Sequence, residues 1–186
     1  GAPEIWKHRD LAYFLVWRDL KVRYKQTAFG AAWAVLQPVL LMLVFSAFLG
    51  RIQGIGVSGV PYPLFALTGL VPWTLFSQSL TGASSSLVNS QNLISKVYFP
   101  RLLLPLSAVA SYVVDFLIAA VVLVIAMLFF GRVPPATFLW VPILGLFAVI
   151  VALAVGLWLA AINVRYRDVK YAILFLIQLW FFASPV

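Results

Sequence analysis

Cysteine is absent from this sequence, and acidic residues and histidine are scarce. Without a thiol the chain forms no disulfide and offers no thiolate to a metal, and the one histidine, His8, cannot build a metal cluster by itself. Only five residues are acidic, and the sequence shows no carboxylate pair of the kind that flanks a glycosidase pocket. The motif HExxH and the phosphate-binding motif GxxxxGK followed by Ser or Thr are also missing, so any ATP hydrolysis must come from another chain.

Apolar residues, by contrast, are in excess. Hydrophobic residues make up 64% of the chain and charged residues 10%, whereas about 25% of residues are charged in soluble domains. Within lipid the backbone has to satisfy its own hydrogen bonds in helices or closed barrels, and apolar runs of about 20 residues favour helices. We therefore predict an all-α integral membrane protein.

The apolar runs predict five transmembrane helices after an N-terminal interface helix over residues 4–26. In that first helix most cations share one face, which suits a helix lying in the headgroup region, but Arg9 and Arg23 fall on its apolar side. The predicted transmembrane segments are residues 28–50, 64–88, 102–130, 136–163 and 171–186. Because the last segment stops directly after an apolar run, we expect residues 1–186 to be one transmembrane domain that continues beyond its C-terminal end.

The distribution of cations predicts the orientation of these segments. With the N-terminus placed in the cytoplasm, 11 of the 13 Lys and Arg residues fall on the cytoplasmic side, and only Arg51 and Arg132 fall outside. Such a bias is typical of multi-pass proteins of the cell membrane, the plasma membrane or bacterial inner membrane. The net charge of +8 is therefore explained by topology, and we expect no nucleic acid partner.

The break between the second and third segments, residues 89–101, carries the most specific sequence of the chain. Its amides, the cations Lys96 and Arg101, and the prolines Pro100 and Pro105 predict a segment that leaves the bilayer, lies at the surface and re-enters. We interpret it as a cytoplasmic coupling helix that docks on a partner; an ordinary interfacial loop is the alternative. The candidate coupling residues are Asn89, Gln91, Asn92, Leu93, Lys96, Val97, Tyr98, Phe99, Pro100 and Arg101.

The first and the fifth predicted transmembrane segments, residues 28–50 and 171–186, each carry a face of aromatic and amide side chains. Aromatic rings stack on sugar rings and amides bind hydroxyl groups, so these faces are candidates for a substrate path, although packing against lipid or protein explains them equally well. The candidate residues are Phe29, Trp33, Gln37, Phe48, Tyr171, Phe175, Gln178 and Phe182.

Asp115 lies near the middle of the third predicted span. An ionised carboxylate at that depth costs about 2.5 to 3.5 kcal/mol on insertion scales, so it needs a partner or a function. It either contacts substrate or forms a protonated or hydrogen-bonded tie between helices, and we favour the tie.

Four motifs in this order resemble those of the membrane subunit of type-two ABC exporters, most closely the branch that exports lipid-linked polysaccharide, O-antigen or teichoic acid. They are Gly30-Ala-Ala-Trp33 leading into Gln37-Pro38, Lys96-Val-Tyr-Phe-Pro-Arg101, Asn163-Val-Arg-Tyr-Arg-Asp-Val169 and Phe182-Ala-Ser-Pro-Val186. The resemblance covers nearly the whole chain. It implies a six-helix permease without catalytic residues, of which five helices are visible here.

The resemblance also implies the partners. The permease would dimerise with a second copy of itself and pair with a cytosolic ABC ATPase subunit, which binds ATP and Mg²⁺, so that this chain needs no cofactor or metal. The interface helix and the segment from Asn89 to Arg101 would contact the ATPase, and membrane lipid and a lipid-linked glycan would be the other ligands. One departure is Leu102, where some relatives have an acidic residue.

Two alternative functions remain at this point. The same fold could export a lipid, a drug or heme, for which hydrophobic path walls would suffice. A membrane-embedded transferase acting on lipid-linked sugars is the alternative from another class, and it would need Asp115 or Asp168 as its acid or base group.

Overall fold

The computed structural model describes residues 9–25, 32–49, 60–94, 99–166 and 168–184. All regular structure in these ranges is helical. The helices are α1 (Arg9–Lys25), α2 (Ala32–Leu49), α3 (Tyr62–Asn89), α4 (Gln91–Ile94), α5 (Leu103–Phe129), a 3₁₀ helix (Ala136–Trp140), α6 (Val141–Arg165) and α7 (Val169–Ala183). Helices α2 and α3 continue through Pro38 and Pro72 without a break in their assignment.

Helix α3 is the centre of the bundle, since it packs against α2, α5, α6 and α7. Its buried leucines and valine meet the buried side chains of α5 and Val149 of α6 in one apolar core. The α3 members of this core are Leu64, Leu67, Val71, Leu75 and Ala83. The hydroxyl groups of α3 donate mainly to carbonyls of the preceding turn, as Thr81 Oγ1 does to Ser77 O over 2.8 Å, so these polar side chains need no partner helix.

Small residues allow α6 to approach α3 closely. Ala152, Gly156 and Ala160 recur every fourth residue on the buried face of α6, the spacing typical of tightly packed membrane helices. A Cβ added to Gly156 would lie 2.6 Å from Ala83 Cβ. Near the end of α6 that is predicted to face the cytoplasm, the buried Asn163 amide donates a 3.1 Å hydrogen bond to Ser84 O of α3.

Gly131 ends α5 in a tight turn. It has a φ of +69°, a backbone conformation that a glycine adopts without strain. The Gly131 N–H donates to Leu128 O and the Arg132 N–H donates to Met127 O over 2.9 Å, which is the Schellman pattern of helix termination. Pro134 and Pro135 follow and separate this end from the 3₁₀ helix.

Large apolar side chains cover the outside of the bundle. On α5, Leu117, Val121, Ile125 and Leu128 are each more than half exposed, a contiguous apolar surface of the kind that marks contact with lipid or protein. Two described stretches, Leu103–Phe129 and Ala136–Arg165, are long and apolar enough to cross a membrane, while Ala32–Phe48 and Val169–Ala183 are apolar but shorter. The predicted count of five transmembrane helices and the headgroup position of α1 therefore remain predictions.

We predict that Gly156→Leu destabilises the bundle, because the new side chain has to displace Ala83 and separate α6 from α3. Overpacking of this kind costs about 1 to 3 kcal/mol or more, which a thermal unfolding measurement in detergent would detect as a lower transition temperature. Ala154→Leu is the matched control, since Ala154 is exposed on the same helix. An unchanged transition temperature for Gly156→Leu would contradict the close packing of α6 on α3.

Candidate functional site

Helices α1 and α5 run parallel, and contacts between them recur every four residues along both helices. At the start of the contact, Leu15 is buried with Phe99, Leu103 and Leu104. Further along, Ser107 Oγ donates to Asp19 Oδ2 over 3.2 Å, and the same carboxylate pairs with Arg18 over 2.8 Å. Since the residue numbers advance equally on the two helices, α1 lies lengthwise along the N-terminal half of α5.

The last turn of α1 ends at Asp115 of α5. The Arg23 guanidinium forms an ion pair with Asp115 Oδ2, and the Tyr24 hydroxyl donates a hydrogen bond to Asp115 Oδ1. Both carboxylate oxygens therefore have a donor, which is what a carboxylate inside an apolar helix requires. This is the arrangement that a tie between helices needs, and its partner comes from the N-terminal helix.

Arg23 makes two further contacts with α5. Its Nη2 donates to Ser111 Oγ over 3.1 Å, and its guanidinium carbon lies 4.1 Å from the centroid of the Tyr112 ring, within the range of a cation–π interaction. Three side chains thus contact one guanidinium, namely Asp115, Ser111 and Tyr112, and Tyr24 binds the other oxygen of Asp115. This explains why Arg23 falls on the apolar side of α1, where it faces the one acidic side chain of α5.

The pKa of Tyr24 is raised above its ordinary value, first because the hydroxyl is buried and second because it donates to the Asp115 carboxylate. Both effects oppose loss of the proton. Tyr24 therefore stays a neutral donor to Asp115 across the physiological pH range.

A cavity of about 400 Å³ lies beside this cluster, between α1, α2, α3 and α5, and we call it the Trp33 cavity. Its walls combine aromatic rings, two amides, a hydroxyl and the Arg23–Asp115 pair. The polar and aromatic residues that line it are Arg23, Tyr24, Trp33, Gln37, Thr74, Gln78, Tyr112, Asp115 and Phe116. A volume of this size and a mixed apolar and polar lining are usual for small-molecule sites.

A second cavity of about 710 Å³, the Asn89 cavity, lies between α1, α3, α4 and α5, next to the predicted coupling segment. Its lining is more polar, with hydroxyl groups, an amide and charged groups. The polar residues that line it are Arg18, Asp19, Arg23, Ser85, Ser86, Asn89, Ser90, Ser111 and Tyr112.

The structure divides the predicted coupling residues into exposed and buried ones. Asn89, Gln91 and Arg101 are exposed, and Leu93 and Pro100 are half-buried. Phe99 is buried against Leu15 and α5, so in this chain it anchors the segment and is not open to a partner. Lys96, Val97, Tyr98 and the side chain of Asn92 lie outside the described residues.

The predicted substrate-path residues fall into two separate groups. Trp33 and Gln37 line the Trp33 cavity, where Gln78 of α3 joins them. Residues of the other group are exposed on α2 and α7 and line neither cavity: Phe48, Tyr171, Phe175, Gln178 and Phe182. Phe29 lies outside the described part of the chain.

Helix α7 docks on the bundle through aromatic side chains that the sequence pattern did not single out. The Phe181 ring lies 5.9 Å from Phe45 of α2 and 5.4 Å from Trp73 of α3, and the Trp180 ring lies 5.5 Å from Phe76. These centroid distances are typical of favourable aromatic pairs. The contacts turn the predicted α7 face, with Tyr171 and Phe175, away from the rest of the described chain.

Asp115 and Asp168 do not form a catalytic pair. Asp115 has both oxygens bound by Arg23 and Tyr24, and Asp168 is exposed directly before α7 and lines neither cavity. A general base must be within hydrogen-bonding reach of a substrate proton, and Asp115 would first have to lose its present partners. The geometry therefore disfavours a transferase centred on these residues.

Arg23, Ser111, Tyr112 and Tyr24 are the site residues that sequence reasoning missed. The signal that could have found them is the pairing of two anomalies: a cation on the apolar side of one helix and a lone carboxylate within another. Because 91 residues separate Asp115 from Tyr24, the pairing could not be inferred from local spacing.

We predict that Arg23 and Asp115 stabilise the fold jointly. Their side chains keep 31% and 20% of their surface exposed, so we expect a coupling energy of about 1 to 2 kcal/mol, within the range for contacting residues. Arg23→Gln, Asp115→Asn and the double variant should give this value in a cycle of unfolding free energies measured in mixed micelles.

The control for this cycle is Lys21→Gln, because Lys21 is exposed on the same helix as Arg23. Lys21→Gln should change stability by less than about 0.5 kcal/mol and should be additive with Asp115→Asn. Additivity of Arg23→Gln with Asp115→Asn would contradict the ion pair.

Comparison with known proteins gives consistent matches. The sequence profile described as "ABC-2 type transporter" matches residues 11–186. The O-antigen export system permease protein RfbA of Myxococcus xanthus is 33% identical over 183 residues, which cover 98% of this chain and 70% of that protein. A protein of the same name from Klebsiella pneumoniae is 30% identical over 178 residues, 95% of this chain and 68% of that protein. The polysialic acid transport protein KpsM of Escherichia coli is 31% identical over 74 residues, 40% of this chain and 28% of that protein.

Proposed function

Because the chain belongs to the ABC-2 type transporter family, we propose that it is the permease subunit of an exporter that carries lipid-linked polysaccharide across the cytoplasmic membrane. The observation that carries the proposal is the match along nearly the whole chain to relatives named as O-antigen export permeases. O-antigen, capsular polysaccharide and teichoic acid are the cargo types that we consider. The N-terminus lies in the cytoplasm in this proposal, in keeping with the cation distribution.

A separate ATPase subunit supplies the energy. The sequence lacks a phosphate-binding loop of the GxxxxGK type, so ATP and Mg²⁺ bind to the partner. In this proposal residues 89–101 meet that partner, and the side chains of Asn89, Gln91 and Arg101, which are exposed in the single chain, are the candidates for the contact. A second copy of the chain completes the exporter and covers apolar surface that the single chain leaves exposed.

The packing explains how movement of the coupling segment reaches the membrane helices. The segment joins the end of α3 to the start of α5, so a displacement of residues 89–101 acts on both helices. Helix α1 is fastened to α5 by the Asp19–Ser107 and Arg23–Asp115 contacts. A partner that pushes on α1 or on the coupling segment therefore moves α5 in either case.

The cargo path in this proposal has walls of aromatic rings and amides. Trp33 and Gln37 belong to it through the Trp33 cavity, and the exposed face of α7 with Tyr171, Phe175 and Phe182 adds a second wall. Sugar rings present flat C–H faces and hydroxyl edges, which such side chains bind by stacking and hydrogen bonding. Transport of this kind requires no catalytic residue.

We predict that the double variant Gln91→Glu with Arg101→Glu retains about tenfold less ATPase in co-purification. The reason is that in the proposed assembly both exposed side chains face the partner. A tenfold change corresponds to about 1.4 kcal/mol of binding free energy. Thr137→Glu is the control, since Thr137 is exposed in the 3₁₀ helix at the opposite end of the predicted topology. Full retention by the double variant would count against residues 89–101 as the coupling segment. Deletion of Asn89 to Tyr98 should abolish retention without preventing membrane insertion.

A second prediction distinguishes glycan cargo from a lipid, drug or heme. Replacement of Tyr171, Phe175 and Phe182 by Leu keeps the surface apolar but removes the rings, so export of a glycan should fall at least about tenfold. Phe147→Leu and Trp158→Leu, both exposed on α6, are the controls and should leave export unchanged. Preserved export in the triple variant would favour the alternative cargoes, for which hydrophobicity alone suffices.

A further inference from the structure

A stripe of polar residues on α3 connects the two cavities. Gln78 lines the Trp33 cavity, and Ser85 and Asn89 line the Asn89 cavity. These residues are seven and four positions apart, so they lie on one face of the helix. The two cavities therefore follow one another along α3, α1 and α5 border both of them, and we call the two together the polar crevice.

Only Arg23 and Tyr112, among the described residues, line both cavities. Their stack occupies the boundary between the cavities, with the Arg23 guanidinium 4.1 Å from the centroid of the Tyr112 ring. Two long side chains in contact with each other thus mark the boundary between the cavities. Side chains can change rotamer or move with their helix while the fold persists.

The Tyr112 ring fills the space between α3 and α1. On one side it packs against Gly82 of α3 so closely that a Cβ at that position would collide with the ring. On the other side it meets Arg23 of α1. Three helices therefore meet at the Tyr112 ring, through the Gly82 backbone of α3, the ring itself on α5 and the Arg23 guanidinium of α1.

We propose that the stack of Arg23 on Tyr112 is a gate that closes the polar crevice between the Asn89 cavity and the Trp33 cavity, with Asp115 holding Arg23 in the closed position. Asp115 and Ser111 fix the guanidinium over the ring from the α5 side. Separation of the last turn of α1 from α5 withdraws Arg23 from the ring and joins the two cavities. The assignment of the Asn89 cavity to the cytoplasmic side rests on the proposed function.

The chemistry of the crevice selects what the open gate admits. Amides of Gln37, Gln78 and Asn89 and hydroxyls of Thr74 and Ser85 line the two cavities. Such groups exchange hydrogen bonds with water or with sugar hydroxyls at little cost. The gate therefore admits a hydrated, hydroxyl-rich segment and, when closed, keeps polar solutes of the Asn89 cavity out of the Trp33 cavity.

Residues 1–186 contain no cysteine, so a full-length protein in which any cysteine outside this range is replaced by serine allows a direct test. Single variants Gln78→Cys and Ser85→Cys place one thiol in each cavity, and a membrane-impermeant methanethiosulfonate reagent is added to inside-out vesicles that contain the full-length protein. In the otherwise unchanged chain we expect the thiol at position 78 to react at least about tenfold more slowly than the thiol at position 85. Tyr112→Ala should raise the rate at position 78 to within about twofold of that at position 85.

A second way of opening the gate protects the test against misfolding of Tyr112→Ala. The double variant Arg23→Met with Asp115→Leu removes the ion pair without leaving a lone buried charge and should raise the rate at position 78 equally. The rate at position 85 serves as the internal check of the fold, because it should change by less than about twofold in each background.

Two results would overturn the gate. One is a thiol at position 78 that already reacts as fast as the thiol at position 85 in the unchanged stack. The other is a slow rate at position 78 that persists in both opened variants. The thiol rates do not depend on cargo or ATPase, so failure of the proposed export function in a separate transport assay would leave a positive gate result intact.

Discussion

A carboxylate within an apolar helix has to find a donor, and in this protein that requirement determines where the N-terminal helix lies. Asp115 obtains its donors from Arg23 and Tyr24 at the end of α1. Because these contacts lie 12 residues after the first residue of α5, about 18 Å along the helix axis, α1 has to run lengthwise beside α5 to make them. The buried contact of Leu15 with Phe99 fixes the other end of the same arrangement. The position of α1 thus follows from one polar requirement and one apolar contact.

The remaining bundle depends on α3 and on the small residues that let other helices approach it. Gly156 of α6 meets Ala83, and Gly82 receives the ring of Tyr112. In an apolar solvent helices gain little from hydrophobic association, so close packing and hydrogen bonds such as Asn163 to Ser84 have to hold the bundle together. Gly82 lies near the face of α3 that carries the polar residues of the crevice, whereas Ala83 faces α6, so the candidate path and the structural centre share one helix but use different faces of it.

Sequence periodicity predicted those features that depend on neighbours along one helix. The four-residue spacing of Ala152, Gly156 and Ala160 is by itself enough to indicate the packed face of α6, and Gly131 with the following prolines is enough to indicate the turn after α5. Periodicity could not predict the partner of Asp115, because Arg23 is distant in sequence and the pattern showed only that this cation falls on the apolar side of α1. On α7 aromatic residues occur on more than one side, so composition alone could not show that Phe181 and Trp180 dock while Tyr171 faces outward.

In the proposed function this chain provides the membrane path along which a glycan is exported, and a separate ATPase supplies the energy. The decisive measurement uses inverted membrane vesicles that contain the full-length permease, its ATPase and the lipid-linked glycan of the producing strain, and it determines how much glycan becomes protected from an added glycosidase. We predict that protection requires ATP and both proteins. Equal protection without ATP, or without the permease, would show that this chain is not the export path.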